Sequence, residues 1–317
     1  MVTLDELTPY TNQIALDKFW YLIYERHNIW YKRFIQGRSR PWTDDPILRE
    51  FKFTNVYREL DKGTIYLLDK VRDALLNEAS KESVIWNIFI YRLFNNLDTY
   101  DEEIGWNVWE DENWIDDLFP QLRKRFNDGK AVFTNAHMVC AYHNLPGKDK
   151  LERVQYIFQQ LHPRIPEITQ LAWDADSLEQ IWTWIQNLQG YGPFLAYEIA
   201  VDFTYFPELT QLDEDHWANA GPGCMNGLDA MFPQKPRNVS WLDLIIMLRN
   251  SQKDEFERLK LPFESIAYEE KWLTLRNIEH CCCEFFKYWK ALNGTGRPRN
   301  KFIPTSDGTD WTERLKG

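Results

Sequence analysis

The chain has 317 residues, 44% of them hydrophobic and 27% charged, with a net charge of −11. That balance excludes a disordered chain and a general nucleic-acid coat, and it leaves room for a substantial core in one large or two medium lobes. No apolar run approaches the roughly eighteen residues of a membrane helix, and MVTLDELTPYTNQ lacks the parts of a secretory signal, so a cytoplasmic protein with no membrane partner is expected.

Helical periodicity dominates from the start. Residues 14–35 repeat Phe19, Leu22, Ile23, Trp30 and Phe34 at helical spacing, and Leu22, Arg26, Ile29 and Arg33 share one face. Gly37 ends this helix. Pro41-Trp42-Thr43-Asp44-Asp45-Pro46 cannot continue it, because each proline biases its predecessor away from helix. Residues 24–40 hold Arg26, Lys32, Arg33, Arg38 and Arg40 against Glu25, a local +4 inside a total of −11, which leaves −15 for the rest. Such concentration suits a cleft for a phosphate-bearing substrate; the competing reading is a solvated basic face.

Thr54 or Asn55 is the expected N-cap of a short helix with Arg58 and Asp61 on one face. Gly63-Thr64 punctuates, and a helix then runs to about residue 76. Residues 81–97 form a strongly helical stretch; 98–114 are acidic and Trp-rich and read as loop; 115–126 are helical, closed by Gly129. Character changes near Pro146-Gly147, after which 148–161 and 177–188 are amphipathic helices. Gly190-Tyr191-Gly192-Pro193 then leads into an apolar helix over 194–205, and an Asp- and Gly-rich link spans 212–223. Helices over 241–259 and 272–292 precede a basic, Pro/Gly-rich tail. The fold class is therefore all-α, in two helical lobes: an N-terminal lobe over 1–146 and a second over 147–293, with a C-terminal arm over 294–317. Most of the 15 Trp, 15 Tyr and 19 Phe must be core.

The helix–Gly-x-Gly–helix over 177–205 reads as a helix-hairpin-helix, whose second helix offers free N–H groups to a DNA phosphate. With Asp213 and Asp215 some twenty residues on, it resembles the DNA glycosylase superfamily, whose members work on a flipped base between two helical lobes. Two departures count. Phe194 stands where lyase-type members carry lysine, and the cysteines lack the spacing of an iron–sulfur ligand set. Consecutive helical residues cannot converge on one ion, so His280-Cys281-Cys282-Cys283-Glu284 reads as buried packing and no metal is expected. Those cysteines with Cys140 and Cys224 fit a reducing compartment. His137 and His143 lack a partner pattern. No phosphate-binding G-x-x-x-x-G-K-[ST] loop and no G-x-S-x-G elbow is present.

Glu25-Arg26 with Arg33, Pro41-Trp42-Thr43-Asp44, Ile47-Leu48 and Phe53-x-Asn55-Val56-x-Arg58-Glu59-x-Asp61 resemble the N-terminal signature of the alpha-glutamyl/putrescinyl thymine pyrophosphorylases. That family is similar to the helical domain attached to 5-hydroxymethyluracil DNA kinases and to phage amino-acid:DNA transferases. The resemblance continues at Arg92-Leu93-Phe94-Asn95, the Gly190–Pro193 hairpin, Asp215 to Gly223 with Gly227-Leu228, and Glu279-His280, Cys283-Glu284 and Lys287-Tyr288. It implies a DNA-glycosylase-like fold and a part in thymine hypermodification of phage DNA, in the infected host cytoplasm. A separate kinase installs pyrophosphate on 5-hydroxymethyluracil; a stand-alone transferase then replaces it with an amino acid or polyamine. The implied partner is double-stranded DNA carrying the modified thymine. No cofactor is implied, and magnesium is neither implied nor excluded.

That chemistry needs arginines for the departing pyrophosphate and a carboxylate base for the incoming amine. Arg26, Arg33 and Arg58 are candidates for the first role, with Trp42, Thr43 and Asn55 beside the substrate. Asp44, Asp61, Asp215 and Glu25 compete for the second. Gly190, Gly192, Arg38 and Arg40 would face DNA. Trp42 is equally readable as core, and Arg58 with Asp61 as a surface ion pair. Two other functions stay open: a glycosylase releasing a modified base, and a non-catalytic module that binds modified DNA.

Overall fold

A computed structural model describes residues 2–111, 113–134, 142–265 and 272–303. Cys140, His137 and the tail beyond residue 303 lie outside them. The described residues are helical and contain no strand; Phe51 and Lys301 form an isolated antiparallel bridge. The longer helices are α1 (Gln13–Trp30), α2 (Lys62–Leu76), α3 (Lys81–Phe94), α4 (Trp114–Asn127), α5 (Lys150–Leu161), α6 (Ile165–Asp174), α7 (Leu178–Gln186), α8 (Pro193–Thr204), α9 (Pro222–Met231), α10 (Trp241–Arg258) and α11 (Leu275–Leu292). No helix among these residues is long and apolar enough to cross a membrane.

The chain divides into two compact units. The first joins residues 1–61 to 217–317, and the second is 62–216. Residue 146, where the sequence changes character, falls inside the second unit.

In the first unit α11 is the central element. It packs against α1, α9 and α10, and its start is fixed by a capping box: Thr274 accepts from the Asn277 N–H, and the Asn277 side chain accepts from Thr274. The approach of α9 is unusually close. A Cβ on Gly227 would lie 2.1 Å from the Cys282 carbonyl oxygen, and one on Gly223 would lie 2.4 Å from Cys283 Sγ. Only glycine permits that contact. α1 does not stop cleanly at Trp30. It widens into a π-helical turn, Tyr31–Ile35, closed by Gln36 N–H to the Tyr31 carbonyl at 3.0 Å. Gly37, at φ 61°, lets the Arg38 N–H reach back to the Lys32 carbonyl at 2.9 Å, and the helix ends there.

The second unit is built on α3, which is buried from Ser83 to Phe94. A helix apolar on all sides belongs inside a domain, and here it packs against α2, α6 and α8. Its buried cation, Arg92, is set against two carboxylates of α8, Asp202 and Glu198, the latter at 3.5 Å. Gly63 was expected to break the chain before α2 but lies in the first turn of that helix. The Tyr91 hydroxyl donates to its carbonyl at 2.7 Å, and a Cβ there would sit 3.0 Å from the same oxygen, so close approach explains the glycine.

Candidate functional site

Arg26 projects from the last turns of α1 towards the extended segment that follows Phe51. Its Nε and Nη2 donate to the Phe53 carbonyl, both at 3.3 Å, and Nη2 also donates to Asn55 Oδ1 at 2.7 Å. Both partners are neutral. Among the described residues Arg26 forms no ion pair. Burial lowers its pKa below the usual arginine value, and Asp61 and Glu284 only partly oppose that.

Asn55 is the hub. Besides holding Arg26, its Nδ2 donates to the Leu60 carbonyl at 2.8 Å and to Asp61 Oδ1 at 3.0 Å. Its N–H donates to the same Asp61 oxygen at 3.1 Å, and its carbonyl faces His280 Nε2 at 2.9 Å. The N-cap expected at residue 54 or 55 is therefore not its job. The short turn is a 3-10 helix, Arg58–Leu60, entered from Tyr57, and Asn55 instead ties three chain segments together. Arg58 donates to the other Asp61 oxygen.

α11 closes the site. Burial, with the cations Arg58 and Arg276 nearby, pushes the His280 pKa well below its ordinary value, so the ring is neutral. Its nitrogens face the Asn55 carbonyl and, at 3.2 Å, the Arg276 carbonyl; a neutral ring donates to one of them at a time. Glu284 accepts from the Thr54 N–H at 3.4 Å and from Lys287 Nζ at 2.5 Å. Between Arg26, Asn55, His280 and Glu284 lies a cavity of about 10 Å³, the size of one water.

The aromatic-proline loop makes a second, roomier place. A pocket of about 310 Å³ opens beside Arg40, Trp42 and Thr43. Arg33 and Arg40 each stand 5.3 Å from the centre of the Trp42 ring, close enough for cation–π attraction. Arg38 is exposed, and its carbonyl accepts the indole N–H of Trp42 at 2.6 Å. Thr43 is buried and accepts from the Asp45 N–H at 3.0 Å. Asp44 is exposed, whereas its neighbour Asp45 is buried. Asp45 caps the short helix Pro46–Glu50 through Ile47 and Leu48 N–H, and also accepts from the Tyr288 hydroxyl at 2.7 Å. Burial, together with Asp45 and Glu25, raises the pKa of both Tyr21 and Tyr288. Glu25 itself is half-buried.

Arg26, Asn55, Arg58 and Asp61 are thus in direct contact, and Arg33, Arg40, Trp42 and Thr43 gather around the loop pocket. Glu25, Arg38 and Asp44 also belong to the first unit, whereas Gly190, Gly192 and Asp215 lie in the second. There, α7 and α8 pack together across the turn 187–192. Gly190 adopts φ 90°, and a Cβ on it would lie 2.3 Å from Ile157 Cδ1. Gly192 is the N-cap of α8, with Phe194 exposed one turn position later. Asp213 and Asp215 form a local turn, with Asp215 N–H donating to Asp213 Oδ1 at 2.8 Å and His216 Nδ1 lying 2.7 Å from that oxygen. Among the described residues no cluster of three or more His, Cys, Asp or Glu could hold a metal. Burial pushes the Cys283 thiol up to about 11, so it stays protonated and inert at neutral pH.

Asp45, His280, Glu284 and Tyr288 were not assigned roles from sequence. The contacts that join Asp45 to Tyr288, His280 to Asn55 and Glu284 to Thr54 each span more than two hundred positions, which no local pattern marks.

Residues 13–296 match the family described as 5-hmdU DNA kinase, helical domain. A 5-hmdU DNA kinase of Bacillus phage SP10 is 34% identical over 96% of this chain and 48% of that protein, so the chain spans about half the length of the curated relative it matches. No solved structure matches. The chain belongs to the family of the 5-hmdU DNA kinase helical domain.

Proposed function

We propose that this protein acts in thymine hypermodification of DNA, as a transferase that replaces the pyrophosphate of 5-pyrophosphoryloxymethyluracil with an amino acid or amine. The observation that carries the reading is Arg26: a half-buried guanidinium held in place by a carbonyl and an amide oxygen, with no ion pair to a carboxylate among the described residues. An incoming anion meets a cation already oriented. In the reaction the donor nitrogen bonds to the exocyclic methylene carbon, the carbon–oxygen bond breaks, pyrophosphate leaves with the electron pair, and one proton passes from nitrogen to a base. Arg26 and Arg58 would stabilise the leaving group. Asp61 is spent on Arg58 and Asn55, which disfavours it as the base. Glu25 and Asp44 are the better candidates in this unit, with Asp215 the candidate of the other unit. The membership of the 5-hmdU DNA kinase helical-domain family supports DNA with a modified thymine as the substrate, prepared by a kinase reaction, since pyrophosphate must be installed before it can leave.

The test is to incubate pyrophosphorylated DNA with amino acids and polyamines, digest it, and weigh the nucleosides. A new adduct is expected with one donor, and Arg26→Ala should slow its formation about 10²–10³-fold; no adduct with any donor would sink the reading. A second reading has its own support. The matched region is 48% of a longer kinase, which suits a module that holds modified DNA for a catalytic partner. Specific binding without any adduct would favour that one.

A further inference from the structure

The 310 Å³ pocket has a composition distinct from the Arg26 network. Its floor is apolar, from Ile29 and Leu48. Its walls are flat, from Pro41, Trp42 and Phe302. Its rim carries Arg40 and Arg49. Among the described residues neither rim arginine makes an ion pair. Two carboxylates nearby among the described residues are engaged elsewhere: Asp45 is committed to its cap and to Tyr288, and Glu50 lies 3.6 Å from Lys301.

The walls are fixed in advance. Trp42 is pinned at both ends of the residue, its indole N–H on the Arg38 carbonyl at 2.6 Å and its own carbonyl accepting from Lys32 Nζ at 2.9 Å. Phe302 is held by the pairing of two strands of loop. Lys52 N–H donates to the Asn300 carbonyl at 2.9 Å, and Phe302 N–H donates to the Glu50 carbonyl at 2.8 Å. The two rings stand 6.4 Å apart at 66°, forming a corner. Rings held this way cost little to order when a ligand arrives.

Flat walls, an apolar floor and two unpaired guanidiniums select a ligand that is planar at one end and anionic at the other. A polyamine is disfavoured by like charge. Volume fits a small ligand or one monomer of a chain, at the lower end of the usual range for such sites. The geometry points to one pyrimidine nucleotide unit of a DNA strand, its base in the Trp42–Phe302 corner and its flanking phosphate on Arg40 and Arg49. Stacking supplies the base contact, and charge-assisted hydrogen bonds supply the phosphate contact. This inference rests on the proposal above that DNA is the substrate. It assigns recognition of the strand to a place separate from the leaving-group arginine.

Binding of a fluorescent oligothymidylate strand, followed by polarisation across a salt series, tests it. Arg49→Ala should weaken binding about tenfold and lower the slope of log affinity against log salt by about one. Trp42→Ala should weaken the thymine strand similarly but leave a strand with an abasic site at the target position unchanged. Arg49 is exposed, so its variant tests the idea even where loss of the Trp42 ring disturbs the loop. Wild-type affinity in both variants overturns the inference. Full competition by inorganic phosphate overturns the base contact, and competition by free thymidine monophosphate as strong as by the strand overturns the strand as the source. The two proposals fail separately. A wild-type protein that forms adducts while both variants bind normally removes only the pocket; one that binds as expected and forms no adduct removes only the transferase.

Discussion

Arg26 and Arg92 carry the same charge into two different surroundings. Arg92, in the second unit, meets two carboxylates of α8 and is almost fully buried. Burial alone would lower its pKa, but Asp202 and Glu198 outweigh it and raise the value. Arg26, in the first unit, hydrogen-bonds only to neutral oxygens among the described residues, and its pKa falls. The first arrangement is closed and has no capacity left; it joins α3 to α8. The second is held in position by neutral partners, with the carboxylates of Asp61 and Glu284 acting on it without an ion pair. A saturated arginine reads as architecture, and an oriented but uncompensated one reads as a place for an anion.

The largest effect should come from breaking the closed arrangement. Asp202→Ala removes the bidentate partner of Arg92 and leaves it only Glu198 at 3.5 Å, which should cost about 3–5 kcal/mol in urea unfolding. Arg26→Ala should do the reverse: adduct formation falls about 10²–10³-fold, while unfolding free energy drops by only about 1 kcal/mol. An Arg26 variant as unstable as the Asp202 variant would erase the distinction. The next test is acid. His27, beside Arg26 on α1, is buried among Trp30, Tyr57 and Phe263, and burial lowers its pKa to about 4. The unfolded side chain titrates near 6.5. Between those values the unfolded chain binds a proton that the folded chain refuses, so stability is lost as pH falls through the window, by on the order of 3 kcal/mol. His27→Gln should give a shallower fall of the urea midpoint from pH 6.5 to 4 than the wild type; equal slopes would show that His27 contributes nothing. Smallest is the contrast between neighbours. Asp45→Ala should cost about 1–2 kcal/mol through the lost cap, and Asp44→Ala less than about 0.5 kcal/mol, both read from thermal or urea unfolding.

Much of the helical layout was legible because periodicity and caps are local. Two helices were not. α6 begins between Pro163 and Pro166, and α9 begins at Gly221-Pro222-Gly223, both of which look like breaks. Yet a proline in the first helical turn loses no hydrogen bond, and the α9 glycines answer to the neighbouring helix rather than to a loop. The first unit could not be read as one body, since the chain leaves it at residue 61 and returns at 217. The charged block from Glu25 to Asp61 did hold residues that the fold brings into contact, Arg26, Asn55, Arg58 and Asp61. What it could not show was that Asn55 would organise it, that Asp45 rather than Asp44 would be buried, or that α11 and Phe302 would complete it.

The π-helical turn at Tyr31–Ile35 has a consequence for kinship. Such a turn holds one residue more than an α-helical turn spanning the same hydrogen-bonded stretch. Removing a single residue there would let α1 run on regularly and would leave the chain beyond the turn in register, because the wide turn absorbs the extra residue. What would change is the turn itself, where Lys32 and Arg33 sit, and with it the amine on the Trp42 carbonyl and the guanidinium beside its ring. A one-residue gap at this point in a related sequence would therefore spare the helix and the chain on either side while redrawing the basic side chains that face the Trp42 loop.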